Sequence, residues 1–150
     1  MTTVGFIGLG NVGGKLAGSI LRNGLPLMVR DLDRDAAAPF LEAGAQWADS
    51  PKAMAEACDI VITCLPSPAA SAAVMEADDG ILAGLSADKV WAEMSTTDEA
   101  EVKRLGTMVR AVGADPVDCP VSGGCHRAAT GNIAIFAGCD RAVFDRLLQG

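Results

Sequence analysis

A glycine-rich segment near the N-terminus constrains the fold of this chain more than any other feature. The apolar run at residues 4–9 predicts a buried strand, and it passes directly into a segment of G-x-G-x-x-G pattern and then into a stretch of helical character. Between a strand and a helix, this pattern is typical of a turn that binds the pyrophosphate of a dinucleotide, because its glycines allow a tight turn and close approach of the phosphates. We therefore predict cofactor contacts at Gly8, Leu9, Gly10, Asn11, Val12 and Gly13.

Apolar runs of strand length alternate with stretches of helical length along the chain. The runs lie at residues 4–9, 27–29, 60–65, 90–91, 117 and 133–137. Ser50-Pro51 has the residue types that begin a helix, and Thr97-Asp98-Glu99 opens another helix that Gly113 closes. This alternation predicts an α/β protein with a Rossmann-type doubly wound, mostly parallel sheet and helices on both faces.

Charge and cysteine content limit the partners of this chain. The length of 150 residues is typical of one domain. The net charge of −7 argues against binding to nucleic acid or to an anionic membrane. The sequence has no run of 18 apolar residues and no basic signal-peptide start, so we expect a cytoplasmic protein without membrane segments. Five cysteines are an odd number and include no C-x-x-C pair, which predicts free thiols and no metal site.

An acidic residue, Asp31, follows the second strand at about the 20-residue spacing expected for the acid that binds the adenosine ribose. A carboxylate accepts hydrogen bonds from both ribose hydroxyls, and it repels the 2′-phosphate that distinguishes NADP from NAD. The pattern therefore predicts NAD, while Arg30 and Arg34 leave NADP open as the less favoured cofactor. We expect the neighbouring Asp33 to cap the helix that follows.

Four segments form a series along the chain. They are Gly5-Phe6-Ile7-Gly8-Leu9-Gly10-Asn11-Val12-Gly13, Cys64-Leu65-Pro66, Ser95-Thr96-Thr97-Asp98, and Asp118-Cys119-Pro120-Val121-Ser122-Gly123-Gly124 with Ala128, Gly131 and Asn132 behind it. In this order they resemble the β-hydroxyacid dehydrogenases, a family that includes 3-hydroxyisobutyrate dehydrogenase and tartronate semialdehyde reductase. The resemblance spans nearly the whole chain, and its last segment is the most specific.

The resemblance implies a role for each later segment. Leu65 and Pro66 would line the cofactor, and Thr96 would place its hydroxyl near the nicotinamide ribose, with helix capping as the alternative role. The carboxylate of the substrate would be held by a hydroxyl and consecutive backbone N–H groups, those of Ser122, Gly123 and Gly124.

The pair Cys125-His126 suggests a Cys–His nucleophile, which we reject because adjacent side chains diverge and no third orienting group is evident. A role for His126 in substrate choice stays open. Ala70 stands where several relatives place an Asn that reaches the cofactor, so the resemblance predicts one hydrogen bond fewer there.

The activity that the resemblance implies is reversible hydride transfer between a nicotinamide cofactor and a small 3-hydroxy acid, a small carboxylate substrate. The family's catalytic lysine belongs to a segment beyond Gly150, so we expect no catalytic residue in this chain. We also expect the chain to be truncated before an all-helical substrate and dimerisation domain, through which a homo-oligomer would form.

Two other functions compete with this one. An imine reductase would commonly use NADP and lacks a carboxylate site, so Asp31 and the segment at Ser122 argue against it. A non-catalytic dinucleotide-binding module gains weight because the last lysine of the sequence is Lys103, ahead of the Ser-Gly-Gly segment.

Overall fold

Six short parallel strands form the central sheet of the computed structural model, which describes residues 1–149. The strands are β1 (Val4–Ile7), β2 (Leu27–Arg30), β3 (Gln46–Trp47), β4 (Ile60–Thr63), β5 (Val90–Glu93) and β6 (Asp115–Asp118). Their order across the sheet is β3-β2-β1-β4-β5-β6, which is the Rossmann order and confirms the predicted fold class. The order reverses between β1 and β4, and open α/β sheets bind ligands at such a point.

Helices cover both faces of this sheet. They are α1 (Asn11–Arg22), α2 (Ala38–Glu42), α3 (Pro51–Ala57), α4 (Pro68–Glu76), α5 (Ile81–Gly84), α6 (Glu99–Ala111), α7 (Gly124–Thr130) and α8 (Arg141–Gln149), with a 3₁₀ turn at Arg34–Ala37 before α2. The predicted starts of two helices are confirmed, since Ser50 Oγ accepts a 3.0 Å hydrogen bond from Ala53 N and Asp98, within the predicted start, caps α6. Asp33 caps the 3₁₀ turn, again as predicted.

Successive residues of each strand enter opposite cores, as expected for strands buried on both faces. In β1, Phe6 packs into a core with residues of α1, whereas Ile7 packs into the core on the other face. In β5, Trp91 fills that second core together with Leu105 and Val109 of α6. None of the helices within residues 1–149 is long and apolar enough to cross a membrane.

Apart from the exact ends of the strands, the structure differs from the predicted set of strands in two places. β3 was not predicted, because two residues, one of them the polar Gln46, give no detectable apolar run. The run at residues 133–137 does not join the central sheet. Its β8 (Ala134–Ile135) pairs antiparallel with β7 (Val121–Ser122) in a separate two-stranded hairpin.

A short connection explains the second difference. Only residues 119–120 separate β6 from β7, so β7 leaves the central sheet without a crossover, and β8 then pairs with β7 across residues 123–133, which contain α7. The hairpin meets the central sheet at one isolated bridge, between Asp118 and Gly138.

Candidate functional site

A cleft of about 910 Å³ opens at the carboxyl ends of β1, β2, β4 and β5, at the point where the strand order reverses. The structure brings almost all of the predicted cofactor residues to it: Gly8, Gly10, Asn11, Val12, Gly13, Asp31, Leu65, Pro66 and Thr96. Leu9 is the exception, because its side chain is buried in the core beside α1. The backbone N–H of Leu9 nevertheless shapes the cleft, through a contact with Asp31 that is described below.

The glycine turn, residues 8–13, needs glycine at its first and last positions for packing. Gly8 has φ +99°, and a Cβ there would lie 2.2 Å from the carbonyl oxygen of Cys64. A Cβ on Gly13 would lie 2.0 Å from the carbonyl oxygen of Gly8. A Cβ on Gly10, in contrast, would meet no atom within 4 Å. The backbone at Gly10 therefore faces open space in the cleft, where a bound group could approach it.

The start of α1 suits the phosphates of a dinucleotide. No side chain caps this helix and no acidic residue lies in its first turn, so its first N–H groups and its positive dipole end are left for a bound anion. Lys15 lies one turn into the helix and donates a 2.7 Å hydrogen bond to Oδ1 of Asn11, which lines the cleft. With the open backbone at Gly10, these features fit a pyrophosphate.

Asp31 fixes the end of β2 to the glycine turn. One carboxylate oxygen accepts a 2.6 Å hydrogen bond from the N–H of Leu9, and the other accepts a 2.9 Å bond from the N–H of Asp33. Each oxygen retains further acceptor capacity. The half-buried carboxylate can therefore accept hydrogen bonds from a pair of ribose hydroxyls while it holds the turn.

The two arginines beside Asp31 are held by Trp47 of β3. The guanidinium carbons of Arg30 and Arg34 lie 5.5 Å and 5.1 Å from the centre of the Trp47 ring, within cation–π range. Arg30 also donates hydrogen bonds of 2.8 Å and 2.7 Å to the carbonyl oxygens of Ala48 and Asp49. Sequence reasoning missed this arrangement, because nothing in the pattern placed Trp47 on a strand beside Arg30.

The turns after β4 and β5 meet at the opposite end of the cleft. The N–H of Leu65 donates a 2.7 Å hydrogen bond to the hydroxyl of Ser95, and Thr96 lies exposed beside it. Thr96 does not cap α6, because Asp98 does so. Below this contact lies the buried carboxylate of Glu93, a residue that the sequence reading had missed. An acidic residue between an apolar run and a Ser-Thr pair is the signal that could have identified it.

The three predicted substrate residues lie within the hairpin, at the end of β7 and directly after it. Ser122, Gly123 and Gly124 are all exposed, and of the three only Gly124 lines the cleft. Gly123 and Gly124 have φ values of +134° and +74°, in a region that side chains other than glycine rarely adopt. Two consecutive residues of this kind expose their backbone N–H groups near the opening of the cleft.

Few titratable groups line the cleft within the described residues. They are Arg30, Asp31, Cys64 and Asp79, so neither a lysine nor the histidine is among them. Burial, reinforced by the negative charge of Glu93, raises the pKa of the Cys64 thiol to about 11, and the thiol is neutral at physiological pH. His126 is exposed, and residues 1–149 contain no cluster of three side chains that could hold a metal ion.

Comparisons with known proteins agree with this geometry. Residues 3–149 match the family described as the NAD binding domain of 6-phosphogluconate dehydrogenase. The chain is 40% identical over 137 residues to the mitochondrial 3-hydroxyisobutyrate dehydrogenase of Rattus norvegicus, covering 91% of this chain and 41% of that enzyme. The chain thus spans less than half the length of this curated relative.

Solved structures share the fold over nearly the whole chain. Psf3 in complex with NADP+ and 2-OPP has a TM-score of 0.93 and 28% identity, over 98% of this chain and 52% of that one. For Mycobacterium tuberculosis 3-hydroxyisobutyrate dehydrogenase with L-serine, the TM-score is 0.90 and the identity 26%, over 97% and 49%. An imine reductase from Myxococcus stipitatus, in complex with NAD+, has a TM-score of 0.89 at 20% identity over 97% and 50%, a likeness of fold alone.

Proposed function

This chain belongs to the β-hydroxyacid dehydrogenase family, as its N-terminal domain that binds a nicotinamide dinucleotide, and from this we propose that the protein catalyses reversible hydride transfer between NAD and a small 3-hydroxy acid. The observation that carries the proposal is the cleft itself. The residues proposed to bind the phosphates, to bind the adenosine ribose and to face the nicotinamide lie at the ends of neighbouring strands, in the order that an extended dinucleotide requires.

The groups around Asp31 support NAD over NADP. A 2′-phosphate at the adenosine ribose would meet the carboxylate of Asp31 at close range, and the next residue, the fully exposed Leu32, offers no positive charge. Arg30 lines the cleft, but its Nη1 donates hydrogen bonds to two backbone carbonyl oxygens and its guanidinium contacts the Trp47 ring, and these contacts restrain the group from swinging toward a phosphate. Arg34 stacks on the same ring and does not line the cleft.

The remaining residues bind and orient the reacting groups. A bound nicotinamide would supply the chemistry, accepting or returning a hydride at its C4. Leu65 and Pro66 provide an apolar wall against which the cofactor would pack, and the exposed Thr96, which also lines the cleft, would hydrogen-bond the nicotinamide ribose through its hydroxyl. These contacts would fix one face of the ring toward the hairpin.

Ser122, Gly123 and Gly124 are proposed to bind the carboxylate of the substrate. A hydroxyl and exposed backbone N–H groups together make a small anion site, and such charge-assisted hydrogen bonds are stronger than neutral ones. Because Gly124 also lines the cleft, a carboxylate held here would lie beside the cofactor.

The proton transfer that accompanies hydride transfer needs an acid–base group that the described cleft does not provide. We propose that a lysine beyond Gly150 supplies it, in an all-helical domain that also forms a homo-oligomer. That segment lies outside the described residues. The proposed arrangement places the reaction between the two domains, where water can be excluded.

A non-catalytic dinucleotide-binding module is the second candidate, because no lysine or histidine lines the described cleft. One experiment separates the two. The complete protein is titrated with NADH and then assayed with NAD and 3-hydroxyisobutyrate, serine or glycerate. Binding with turnover of at least one acid supports the dehydrogenase, binding without turnover favours the module, and no binding of NADH overturns both.

A further inference from the structure

Glu93 is a fully buried acidic residue at the end of β5, directly beneath the cleft. Its exposed fraction is 0%, and no cation among the described residues forms an ion pair with it. A buried carboxylate of this kind costs free energy unless hydrogen bonds satisfy it, and an apolar side chain in its place could pack without that cost. Its presence at this position therefore requires hydrogen-bond donors around both carboxylate oxygens.

Three donors satisfy this carboxylate. Ser71 Oγ of α4 donates a 2.8 Å hydrogen bond to Oε2, while the N–H and the hydroxyl of Ser95 donate bonds of 2.9 Å and 2.5 Å to Oε1. Ser71 and Ser95 are themselves buried, with exposed fractions of 1% and 3%. The cluster is closed to solvent and joins a helix to the turn that follows β5.

Ser95 passes the connection on to the neighbouring strand. Its hydroxyl donates to Glu93 and accepts the 2.7 Å hydrogen bond from the N–H of Leu65. A continuous chain of bonds thus runs from Glu93 through Ser95 to Leu65. The hydrogen bond between Leu65 and Ser95 joins the two turns that line this end of the cleft, Leu65-Pro66 and Ser95-Thr96, and the carboxylate of Glu93 fixes the Ser95 hydroxyl that makes it.

The order of the strands determines which half of a dinucleotide lies over this cluster. Asp31 ends β2, and the glycine turn follows β1, while β4 and β5 lie on the other side of β1. An adenosine ribose at Asp31 and a pyrophosphate at the glycine turn would leave the nicotinamide half over the ends of β4 and β5.

We propose that Glu93 is a positioning residue for the nicotinamide half of the cofactor, which it serves by holding the Leu65-Pro66 and Ser95-Thr96 turns together. The proposal rests on the proposed function, because it requires a bound nicotinamide dinucleotide. Glu93 touches neither cofactor nor substrate. Its effect on binding is confined to the end of the cleft at β4 and β5, and the adenosine end at Asp31 does not depend on it.

Two ligands separate this role from general support of the fold. NADH occupies both ends of the cleft, whereas ADP-ribose has the adenosine and pyrophosphate groups but no nicotinamide. The complete protein and its Glu93→Gln and Ser71→Ala variants are titrated with each ligand, and dissociation constants are compared. Glu93→Gln replaces one acceptor oxygen of the carboxylate by an NH₂ group, which would face a serine donor instead of accepting its hydrogen bond. Ser71→Ala removes one of the donors and introduces no new clash.

We expect both variants to bind NADH about 5- to 20-fold more weakly while the affinity for ADP-ribose stays within about twofold of the wild type, because an indirect effect on the turns is smaller than the loss of a direct hydrogen bond to a charged group. Thr63→Val is the matched control. It removes the buried 3.0 Å hydrogen bond from Trp91 Nε1 at the end of β4 and leaves the Glu93 cluster intact. The control should lose thermal stability with the ratio of the two affinities unchanged.

The outcomes are distinct. Equal losses for both ligands, or no loss for NADH in a folded Ser71→Ala variant, would overturn the positioning role. If Glu93→Gln does not fold, Ser71→Ala still decides the question. Failure of the wild-type protein to bind NADH would overturn the proposed function instead, and with it the premise of this inference.

Discussion

The carboxylate of Asp31 accepts a 2.6 Å hydrogen bond from the backbone N–H of Leu9, so that the residue proposed to recognise the ribose also fixes the turn proposed to bind the phosphates. The end of β2 and the turn after β1 are therefore one unit. A substitution at Asp31 acts on both, and its design must separate the charge from the hydrogen bond.

Asp31→Asn retains an acceptor oxygen and removes the charge. We expect NADH to bind about 5- to 20-fold more weakly and NADPH more tightly, because the repulsion of the 2′-phosphate is lost. Titration of the complete protein with both cofactors measures the change. Asp33→Asn removes the same charge two residues away, at an exposed position, and should leave the preference unaltered. An unchanged preference in Asp31→Asn would show that Arg30 or Arg34 sets it.

Gly10→Ala should weaken dinucleotide binding without lowering stability, whereas Gly13→Ala should lower the stability of the fold. The added methyl at Gly10 meets no protein atom, so we expect a free energy of unfolding within about 0.5 kcal/mol of wild type but dinucleotide binding weakened at least about tenfold. The methyl at Gly13 lies 2.0 Å from a carbonyl oxygen, and we expect a loss of about 1–3 kcal/mol or more. Thermal melts and NADH titrations test both; a destabilised Gly10→Ala variant would contradict the open approach.

Ser122→Ala should lower kcat/KM for carboxylate substrates by about 10- to 150-fold, the value of about 1.5–3 kcal/mol for a hydrogen bond to a charged group. Affinity for NADH should stay nearly unchanged, because Ser122 does not line the cleft. Steady-state kinetics of the complete protein give the first quantity and titration the second. Ser86→Ala, on an exposed loop before β5, is the control, and an equal loss of NADH binding would place Ser122 at the cofactor.

A polypeptide of residues 1–150 should bind dinucleotide weakly and catalyse no turnover. The groups proposed to bind it lie within the chain, whereas no lysine or histidine lines the described cleft, and acid–base assistance is worth about 10²- to 10⁴-fold. Ile135, Phe136 and Leu148 are exposed by 49%, 61% and 70%, so self-association is expected in gel filtration. Turnover comparable to that of an intact dehydrogenase would contradict the proposed site between two domains.

Alkaline pH should destabilise the fold through its buried thiols. Burial raises the pKa of Cys58 from 9.0 to about 11 and that of Cys119 to about 12. Since the unfolded thiols ionise near pH 9, their contribution to stability is complete below that pH and is lost as the pH rises through 11 to 12, on the order of 1 kcal/mol per thiol. Urea unfolding between pH 8 and 11 measures this. In the Cys58→Ala variant the free energy of unfolding should fall less steeply with rising pH. An unchanged pH dependence in this variant would contradict the role of the buried thiol.

The sequence was sufficient for the parts of the fold that repeat a simple pattern. The glycine turn and the cap at Ser50 each follow from local chemistry, because each position requires one kind of residue. The strand at 60–65 was predicted too long, since the chain leaves the sheet after Thr63 to form the turn at Leu65.

The parts that could not be predicted depend on contacts between distant segments. Glu93 meets Ser71 across 22 residues, and Arg30 meets the carbonyl of Ala48 across 18, so neither pair leaves a trace in local periodicity. The position of β8 depends on its pairing with β7, a contact between segments on either side of α7. In each case a tertiary contact, absent from any window of sequence, determines the outcome.

The hairpin that carries Ser122 pairs with the central sheet at the single bridge between Asp118 and Gly138. Its other attachment to the domain is through side chains, since Ala128 of α7 and Ile133 pack into the same core as α1. Exposed hairpin positions such as Ser122 can therefore vary without the loss of any strand pairing in the six-stranded sheet, whereas the inward-facing positions cannot vary without disturbing that core.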